Sequence, residues 1–392
     1  MAFAGALSGH FLRLYALTLL YFSGNAIMNV LIPLRGESLG ANNAAIGVIM
    51  GAYLFTTMLF RPWAGRWIQR FGPIRVLRSI LLLNALALVM YTFTGLEGYF
   101  VARVLQGGCT AFFSMALQLG IIDALPEKDR SQGISMYSLC SYMPGIFGPL
   151  LALGLWKAGD SQGFTIVMIA LAVGTGAAGF SVRMDRAGAV SVPSQQETVS
   201  MARSFGELFQ NPHLLRCSIL MLTASIVFGA VTTFVPLYAE QVKYASAGVF
   251  LMVQTAVIVV SRFALRKKIP SDGKWHSSYL MGMMLVMTVA AQSISWSAMG
   301  GVGFFYAGAA LMGIAQALLY PTLMTYLTFV LPQASRNVLI GLFIATADLG
   351  VSMGAVLMGP IADATSYSFV YTVCALLGAS MIGFAYKRNA PQ

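Results

Sequence analysis

The amino-acid sequence predicts an all-α membrane protein with about twelve transmembrane helices arranged in two six-helix halves. The first observation is composition: 9% of the 392 residues are charged and 58% are hydrophobic, whereas a soluble domain carries roughly 25% charged residues. The second is the recurrence of apolar stretches of about 20 residues, the length that crosses the hydrocarbon core of a bilayer. The third is that Lys and Arg residues gather in alternate connections, as they do in cytoplasmic loops.

Twelve apolar segments are long enough to cross the membrane. The first is too long for the core of a signal peptide and no small-residue cleavage pattern follows it, so we expect a retained helix. The eighth has the weakest pattern, because it is short and three basic residues follow it directly. The approximate bounds are 11–34, 44–64, 76–95, 98–124, 131–156, 163–182, 214–239, 246–265, 278–298, 302–329, 336–358 and 366–386.

The basic residues predict the orientation of the chain. If the N-terminus is cytoplasmic, twenty of the 24 Lys and Arg residues lie on the cytoplasmic side, three (Arg35, Lys157 and Lys243) lie outside, and Arg103 lies within a span. Such an excess marks cytoplasmic loops. We therefore expect a multi-pass protein of the bacterial cytoplasmic (inner) membrane, in contact with lipid, with both termini cytoplasmic. The dispersed charge excludes a nucleic-acid-binding stripe despite the net charge of +11.

The chain divides at its longest polar stretch, 183–213, which we expect to be a cytoplasmic linker between an N-terminal half, 1–182, and a C-terminal half, 214–392. The halves resemble each other. Arg61 and Gly72 after the second span correspond to Arg262 and Gly273 after the eighth, both at an offset of 201 residues. Two parallel six-span halves are typical of secondary transporters, whose substrate path lies at the interface of the repeats.

An arginine, Arg103, lies about five residues inside the fourth span, where a charge is costly unless it lines a cavity or has a partner. Helical spacing places Thr110, Ser114 and Gln118 on the same stripe. A polar stripe on an apolar helix favours a water-filled path. The alternative is that Arg103 extends along the helix to the outer surface.

Asp348 is the single acidic residue deep in a span, and Gly341, Ala345 and Ser352 share its helical face. Burial disfavours the charged form of a carboxylate, so such a group can bind and release a proton near neutral pH. We therefore predict that Asp348 couples transport to protons, with Arg103 as the second charged group. The alternative is a structural role, with a serine or a backbone group as partner.

The first span carries Tyr21, Asn25 and Asn29 at i, i+4 and i+8, which places them on one face. These side chains either line a substrate cavity or bond to a neighbouring helix. Together with Arg103, Ser114 and Gln118, they are the predicted substrate-binding residues. Further candidates of the same kind are Tyr137, Tyr142, Gln254, Gln316 and Tyr320.

The loop after the second span resembles the loop motif of the major facilitator superfamily, Gly-x-x-x-Asp-Arg-x-Gly-Arg-Arg. Gly65, Arg70 and Gly72 match, whereas Gln69 stands in place of the Asp and neutral residues fill the last two positions. In the family this loop latches the two halves. The resemblance therefore implies a conformational role for Gly65, Arg70, Gly72 and Arg61. Because Gln69 replaces the Asp, the latch would lack the charged contact that the Asp makes in the family. The alternative is a basic loop with turn glycines.

Two further motifs carry the same resemblance. Arg103-Val-Leu-Gln106-Gly107 resembles the family's Arg-x-x-Gln-Gly motif in the fourth span. Gly148 and Pro149 in the fifth span resemble the Gly-Pro motif of exporters, although Pro144 and Ala152 replace two of its glycines. The resemblance implies the major facilitator fold and favours export. A generic helix bend is the alternative reading of the Gly-Pro pair.

Four segments also resemble staphylopine-type metallophore exporters: Ile32–Gly40, Phe60–Gly65, Cys109–Phe113 and Ile134–Ser138. This resemblance implies export of an opine-like, multi-carboxylate chelator. Asp348 and Arg103 favour a proton-coupled antiporter that works by alternating access, and the resemblance to the superfamily implies a monomer. A multidrug efflux transporter and a nutrient uptake symporter are the alternatives. No cofactor, metal site or enzymatic activity is expected, because nucleotide-binding, metalloprotease and Cys or His ligand spacings are missing from the sequence.

Overall fold

The computed structural model describes residues 8–125, 127–182, 211–265, 268–270, 272–333 and 336–386. Regular structure within these ranges is helical, and no strand is found there. The helices are α1 (Gly9–Ser38), α2 (Asn43–Phe71), α3 (Pro73–Phe93), α4 (Leu96–Ala124), α5 (Glu127–Tyr142), α6 (Pro144–Lys157), α7 (Ser161–Ser181), α8 (Pro212–Tyr238), α9 (Ala247–Ala264), α10 (Ser277–Gly300), α11 (Val302–Val330), α12 (Arg336–Ala364) and α13 (Tyr367–Ala385).

Twelve spans in the described part of the chain are long and apolar enough to cross a membrane. They coincide with the twelve predicted segments, and α5 and α6 together form the fifth, Gln132–Lys157. Hydrocarbon offers no hydrogen-bond partner, so each span must satisfy its own backbone, as an α-helix does. The prediction of an all-α membrane protein with twelve spans is confirmed.

Two helices extend furthest beyond the ends that their apolar segments predicted. The second span was expected to end at 64 and the eleventh at 358, whereas α2 continues to Phe71 and α12 to Ala364. The added turns contain Arg, Gln and Trp in α2, and Pro360 and Asp363 in α12. Helix formation does not require apolar residues, so hydropathy locates the membrane-spanning part of a helix and not its end.

The fifth span is interrupted at Met143, between α5 and α6. Pro144 is the first residue of α6 and has no N–H to donate. Met143 keeps helical backbone angles, with φ −50° and ψ −39°. The interruption is therefore the hydrogen bond that Pro144 cannot donate, and the backbone continues along a helical path through it. A proline in this span predicts such an interruption.

The described residues form two compact units. The first contains residues 8–41 and 48–182. In it α3 packs against α4 and α7, and α1 packs against α5, α6 and α7. Its buried core includes Leu14, Leu77, Phe113 and Leu117.

The second unit contains residues 42–47 and 211–386. Its main helix pairs are α8 with α12, α10 with α11 and α13, and α9 with α11. The α8–α12 pair is built on small residues, because a Cβ at Gly229 would contact the carbonyl of Val351 and a Cβ at Gly354 would contact that of Ile226. Such glycines let helix backbones approach closely in a bilayer, where van der Waals packing replaces the hydrophobic effect.

The predicted linker, 183–213, lies outside the described residues except for 211–213. Asn211 caps α8, since its Oδ1 accepts from the backbone N–H of His213 at 3.0 Å and of Leu214 at 3.1 Å. The halves 1–182 and 214–392 remain a prediction.

A short connection joins α9 to α10, and Asp272 is part of it. The Asp272 Oδ1 contacts the His276 Nε2 at 2.8 Å and accepts from the Lys274 backbone N–H at 3.1 Å. These two hydrogen bonds lower the pKa of the Asp272 carboxyl below its usual range. The connection therefore carries an acid that stays ionised at neutral pH.

Candidate functional site

The centre of the candidate site is Arg103 of α4, whose side chain is 0% exposed. Its Nη1 donates to the Asn25 Oδ1 at 2.6 Å and its Nη2 to the Asn29 Oδ1 at 2.9 Å. Nη2 also lies 3.5 Å from the Met50 Sδ, and the guanidinium carbon lies 5.3 Å from the centre of the Tyr53 ring. Arg103 is thus enclosed in the first unit, and the alternative of an arginine extended to the surface is wrong.

The two asparagines of α1 owe their role to their spacing. Asn25 and Asn29 are one turn apart, so both amide oxygens face the planar guanidinium and bind different nitrogens of it. Both residues are half-buried, whereas Arg103 is buried. Because each amide oxygen is engaged with Arg103, each amide NH₂ group faces away from it and is left to donate elsewhere.

The contacts of Arg103 are all neutral. In the part of the chain that the structure describes, they are two amide oxygens, a thioether and the face of a phenol ring, with no carboxylate among them. A buried charge without an opposite charge is costly, and an anionic ligand would offset that cost. The arrangement is therefore suited to binding a carboxylate.

Thr110 organises a second layer behind the guanidinium. Its hydroxyl donates to the Gln106 carbonyl at 2.9 Å and lies 3.0 Å from the hydroxyls of both Tyr21 and Tyr53. A threonine hydroxyl has one proton, so both tyrosines must donate to it. Tyr53 is thereby fixed with its ring over Arg103. Tyr21 is 1% exposed in this conformation, and its hydroxyl is used inside the protein.

A third layer lies beside the guanidinium on α3 and α4. Tyr91 donates to the Gln106 Oε1 at 3.0 Å. Among the described residues, the buried Nε of Arg103 and the Nε2 of Gln106 have no hydrogen-bond partner, and neither has the amide of Asn84, two turns before Tyr91 on α3. Buried polar groups of this kind are normally bonded to ordered water or ligand.

The predicted stripe on α4 runs from a buried end to an exposed one. Thr110 is 6% exposed and Ser114 is 8% exposed, whereas Gln118 is exposed. Gln118 interacts with the hydroxyl of Tyr137 on α5, another predicted substrate residue. The structure therefore brings Ser114, Gln118 and Tyr137 to the same region of the first unit.

The Gly-Pro motif borders this site. Gly148 and Pro149 lie buried in α6, and a Cβ at Gly148 would come within 2.8 Å of the Ala26 Cβ on α1. Ala26 directly follows Asn25. Because Gly148 has no side chain, α6 can pack closely against the segment of α1 whose asparagines bind Arg103.

In the second unit, the Gln254 Nε2 donates to the Gln316 Oε1 at 3.1 Å, which pairs two of the predicted polar residues across α9 and α11. Tyr320 stacks on Phe343, with ring centres 5.9 Å apart. Asp348 is half-buried on α12, and its side chain is not isolated, because it takes part in at least one polar or electrostatic interaction. Its predicted role in proton coupling remains a prediction.

The loop motif after the second span is mostly helical. Gly65 and Arg70 belong to α2, and only Gly72 separates α2 from α3. Gly72 has φ +84° and ψ 150°, a conformation that glycine alone adopts readily. Pro73 then begins α3, which explains a proline at a position that is basic in the family motif. The predicted spans left residues 65–75 as a loop, and this expectation is wrong, because the polar residues after 64 extend α2 to Phe71.

The described residues contain no group of three or more His, Cys, Asp or Glu side chains that could hold a metal ion. The four cysteines are buried and unpaired as disulfides. The donors available at the candidate site are amides, hydroxyls and one guanidinium, which recognise anions and polar organic groups.

Residues 14–291 match the model of the Major Facilitator Superfamily. The chain therefore belongs to the Major Facilitator Superfamily. It is a membrane transporter and not an enzyme. The chain is 52% identical to the staphylopine export protein of Staphylococcus aureus (strain Mu50 / ATCC 700699), over 95% of this chain and 94% of that protein.

Solved structures show the same fold at low sequence identity. The nucleoside transporter NupG superposes with a TM-score of 0.74 at 13% identity, over 96% of this chain and 99% of that one. A bacterial homologue of the human lysosomal transporter Spinster gives 0.72 at 15% identity, over 95% and 93% of the two chains. These likenesses concern the fold alone.

Proposed function

We propose that this protein exports an opine-like metallophore of the staphylopine class, a small chelator with several carboxylates, across the bacterial cytoplasmic membrane. The observation that carries the proposal is Arg103, a buried guanidinium held only by neutral groups in the described structure. The similarity to a staphylopine export protein supports the same substrate class.

The site would recognise a carboxylate through fixed charge and donors. The guanidinium of Arg103 supplies the charge, and its planar fork is held in place by Asn25 and Asn29. The amide NH₂ groups of the two asparagines supply further donors on the more accessible side. Charge-assisted hydrogen bonds of this kind are roughly twice as strong as neutral ones.

Export would proceed as proton antiport by alternating access, with protons entering as the chelator leaves. Asp348 supports this proposal because an acid within a span can exchange a proton when its surroundings change. The excess of Lys and Arg in alternate loops supports an inner-membrane protein with both termini cytoplasmic. A monomer is the proposed state.

The test is a comparison of spent medium from three bacterial strains: one with the protein, one without it, and one with Arg103→Gln. We expect the multi-carboxylate chelator in the medium of the first strain only, with accumulation inside the cells of the other two. A control strain with Lys157→Gln, which removes an exposed charge on α6, should export normally.

Equal chelator levels in all four media would contradict the proposal. A loss of resistance to lipophilic cations without a change in the chelator would favour multidrug efflux. Accumulation of a nutrient from the medium would favour an uptake symporter.

A further inference from the structure

The beginning of α2 is held by the second compact unit. Residues 42–47 belong to that unit, whereas α2 from Val48 onward belongs to the first. One continuous helix is therefore shared by both units. What fixes its first turn is a set of side-chain and backbone contacts that the sequence does not indicate.

Asp363, in the last turn of α12, caps the first turn of α2. Its Oδ1 accepts from the backbone N–H of Asn43 at 2.8 Å and from the Asn43 Nδ2 at 2.9 Å, while its Oδ2 accepts from the backbone N–H of Ala44 at 2.9 Å. The next N–H, that of Ala45, donates to the Asn42 Oδ1 at 2.9 Å. A carboxylate satisfies these donors well, because the N-terminal end of a helix carries partial positive charge.

The amide of Asn43 is fixed from its other side by Tyr367, the first residue of α13. The Tyr367 hydroxyl donates to the Asn43 Oδ1 at 2.7 Å. The orientation of this amide is thus determined, since its oxygen accepts from Tyr367 and its nitrogen donates to Asp363. Both α12 and α13 therefore contribute to holding Asn43.

Small residues make the close approach possible. Ala355, Gly359 and Asp363 are spaced i, i+4 and i+8, so they lie on one face of α12. A Cβ at Gly359 would come within 2.5 Å of the Asn43 carbonyl oxygen. A Cβ at Gly47 would likewise meet the Ala355 carbonyl. The backbones of α2 and α12 thus approach each other closely at two points next to the cap formed by Asp363.

We propose that Asp363, Asn43, Ala44 and Tyr367 form a releasable clasp, which holds the start of α2 on α12 and α13 in one state of the transport cycle and opens in another. This inference rests on the proposed alternating access. Asp363 is exposed and Asn43 is half-buried, so water can replace the hydrogen bonds when the clasp opens. In the orientation that the Lys and Arg residues predict, this clasp lies at the outer end of the protein.

The first test uses hydrogen exchange of the purified full-length protein and needs no substrate. Asp363→Ala should raise the exchange of the Asn43 and Ala44 amides about fivefold, the change expected when a helix cap is lost. Asp160→Ala is the matched control, because Asp160 is an exposed aspartate that caps α7 within its own segment, accepting from Gly163 at 2.7 Å. The control should raise exchange only at the start of α7. Unchanged exchange at Asn43 and Ala44 in Asp363→Ala would overturn the clasp.

The second test asks whether opening is required. In an Asn43→Cys/Asp363→Cys double variant, a short bifunctional thiol reagent should stop transport of the staphylopine-class chelator, and a reductant should restore it. Each single variant treated with the reagent should keep its transport. If the bridged double variant transports at its unbridged rate, the start of α2 does not need to be released and the proposal fails. If the unmodified protein does not transport the chelator, the proposed function fails, and the exchange test still decides whether Asp363 holds α2.

Discussion

The guanidinium of Arg103 is surrounded by amide oxygens, a thioether and a tyrosine ring. A guanidinium is weakly hydrated and forms a rigid fork, so it tolerates such surroundings better than an ammonium group would. The neutral surroundings provide no carboxylate to balance the positive charge in the described structure. At the scale of the residue, the proposed binding of an anionic substrate rests on these neutral contacts of Arg103 in the described structure.

Thr110 should be essential for the position of Tyr53. Thr110→Val would remove the hydroxyl that accepts from Tyr21 and Tyr53, and the loss of each hydrogen bond costs about 0.5–1.5 kcal/mol. Thr110→Ser keeps the hydroxyl and should change the free energy of unfolding little. Thermal unfolding of the purified variants in detergent measures the difference. Equal stability of Thr110→Val and Thr110→Ser would contradict the assigned hydrogen bonds.

At the scale of helices, the junction of α2 and α3 shows that the two matching glycines of the loop motif have different roles. Gly72 takes a glycine-specific conformation between the helices, whereas Gly65 lies in the helix interior. A Cβ would meet no atom within 4 Å at either position. The backbone conformation alone therefore distinguishes them.

Alanine should destabilise the protein at one of these glycines and not at the other. Gly72→Ala should cost about 1–3 kcal/mol, because a non-glycine residue is strained at this φ and ψ. Gly65→Ala should stabilise α2 by roughly 0.5–1 kcal/mol, because alanine loses less backbone entropy in a helix. Unfolding midpoints of the two variants, measured side by side, test this. Similar midpoints would show that the two positions do not differ in backbone conformation.

For the whole molecule, the fold is that of a twelve-span transporter, and the two charged groups predicted to act in transport lie in different units, Arg103 in the first and Asp348 in the second. Separate charged groups suit a cycle in which substrate and proton bind to different residues. In the proposed cycle, Asp348 couples transport to protons and Arg103 binds the substrate.

Asp348→Asn should separate transport from its driving force. An amide cannot cycle a proton, so the variant should exchange chelator across liposome membranes but should not accumulate it in response to a pH gradient. Unmodified protein should accumulate it. The comparison is made in proteoliposomes with and without an imposed gradient. Gradient-driven accumulation by Asp348→Asn would assign the coupling to another group.

Much of the fold could be predicted, because the length and hydropathy of a span are local properties. The facing positions of Asn25 and Asn29 were also predicted, since helical period determines them. Their bond to Arg103 was left as one of two alternatives. Spacing does not show which distant residues meet, so the roles of Tyr53 and Met50 were missed. The cap formed by Asp363 was missed for another reason: an exposed acid at a helix end has no distinctive pattern.

The most direct test of substrate binding at Arg103 is chelator uptake into inside-out membrane vesicles, where export becomes accumulation. Vesicles with the unmodified protein should take up a staphylopine-class chelator in a saturable way, and Arg103→Lys should reduce uptake strongly, because an ammonium cannot bridge Asn25 and Asn29. Arg103→Gln should abolish uptake, while Lys157→Gln should leave it unchanged. Saturable uptake at the normal rate by vesicles with Arg103→Gln would contradict the assignment of Arg103 as the carboxylate-binding residue.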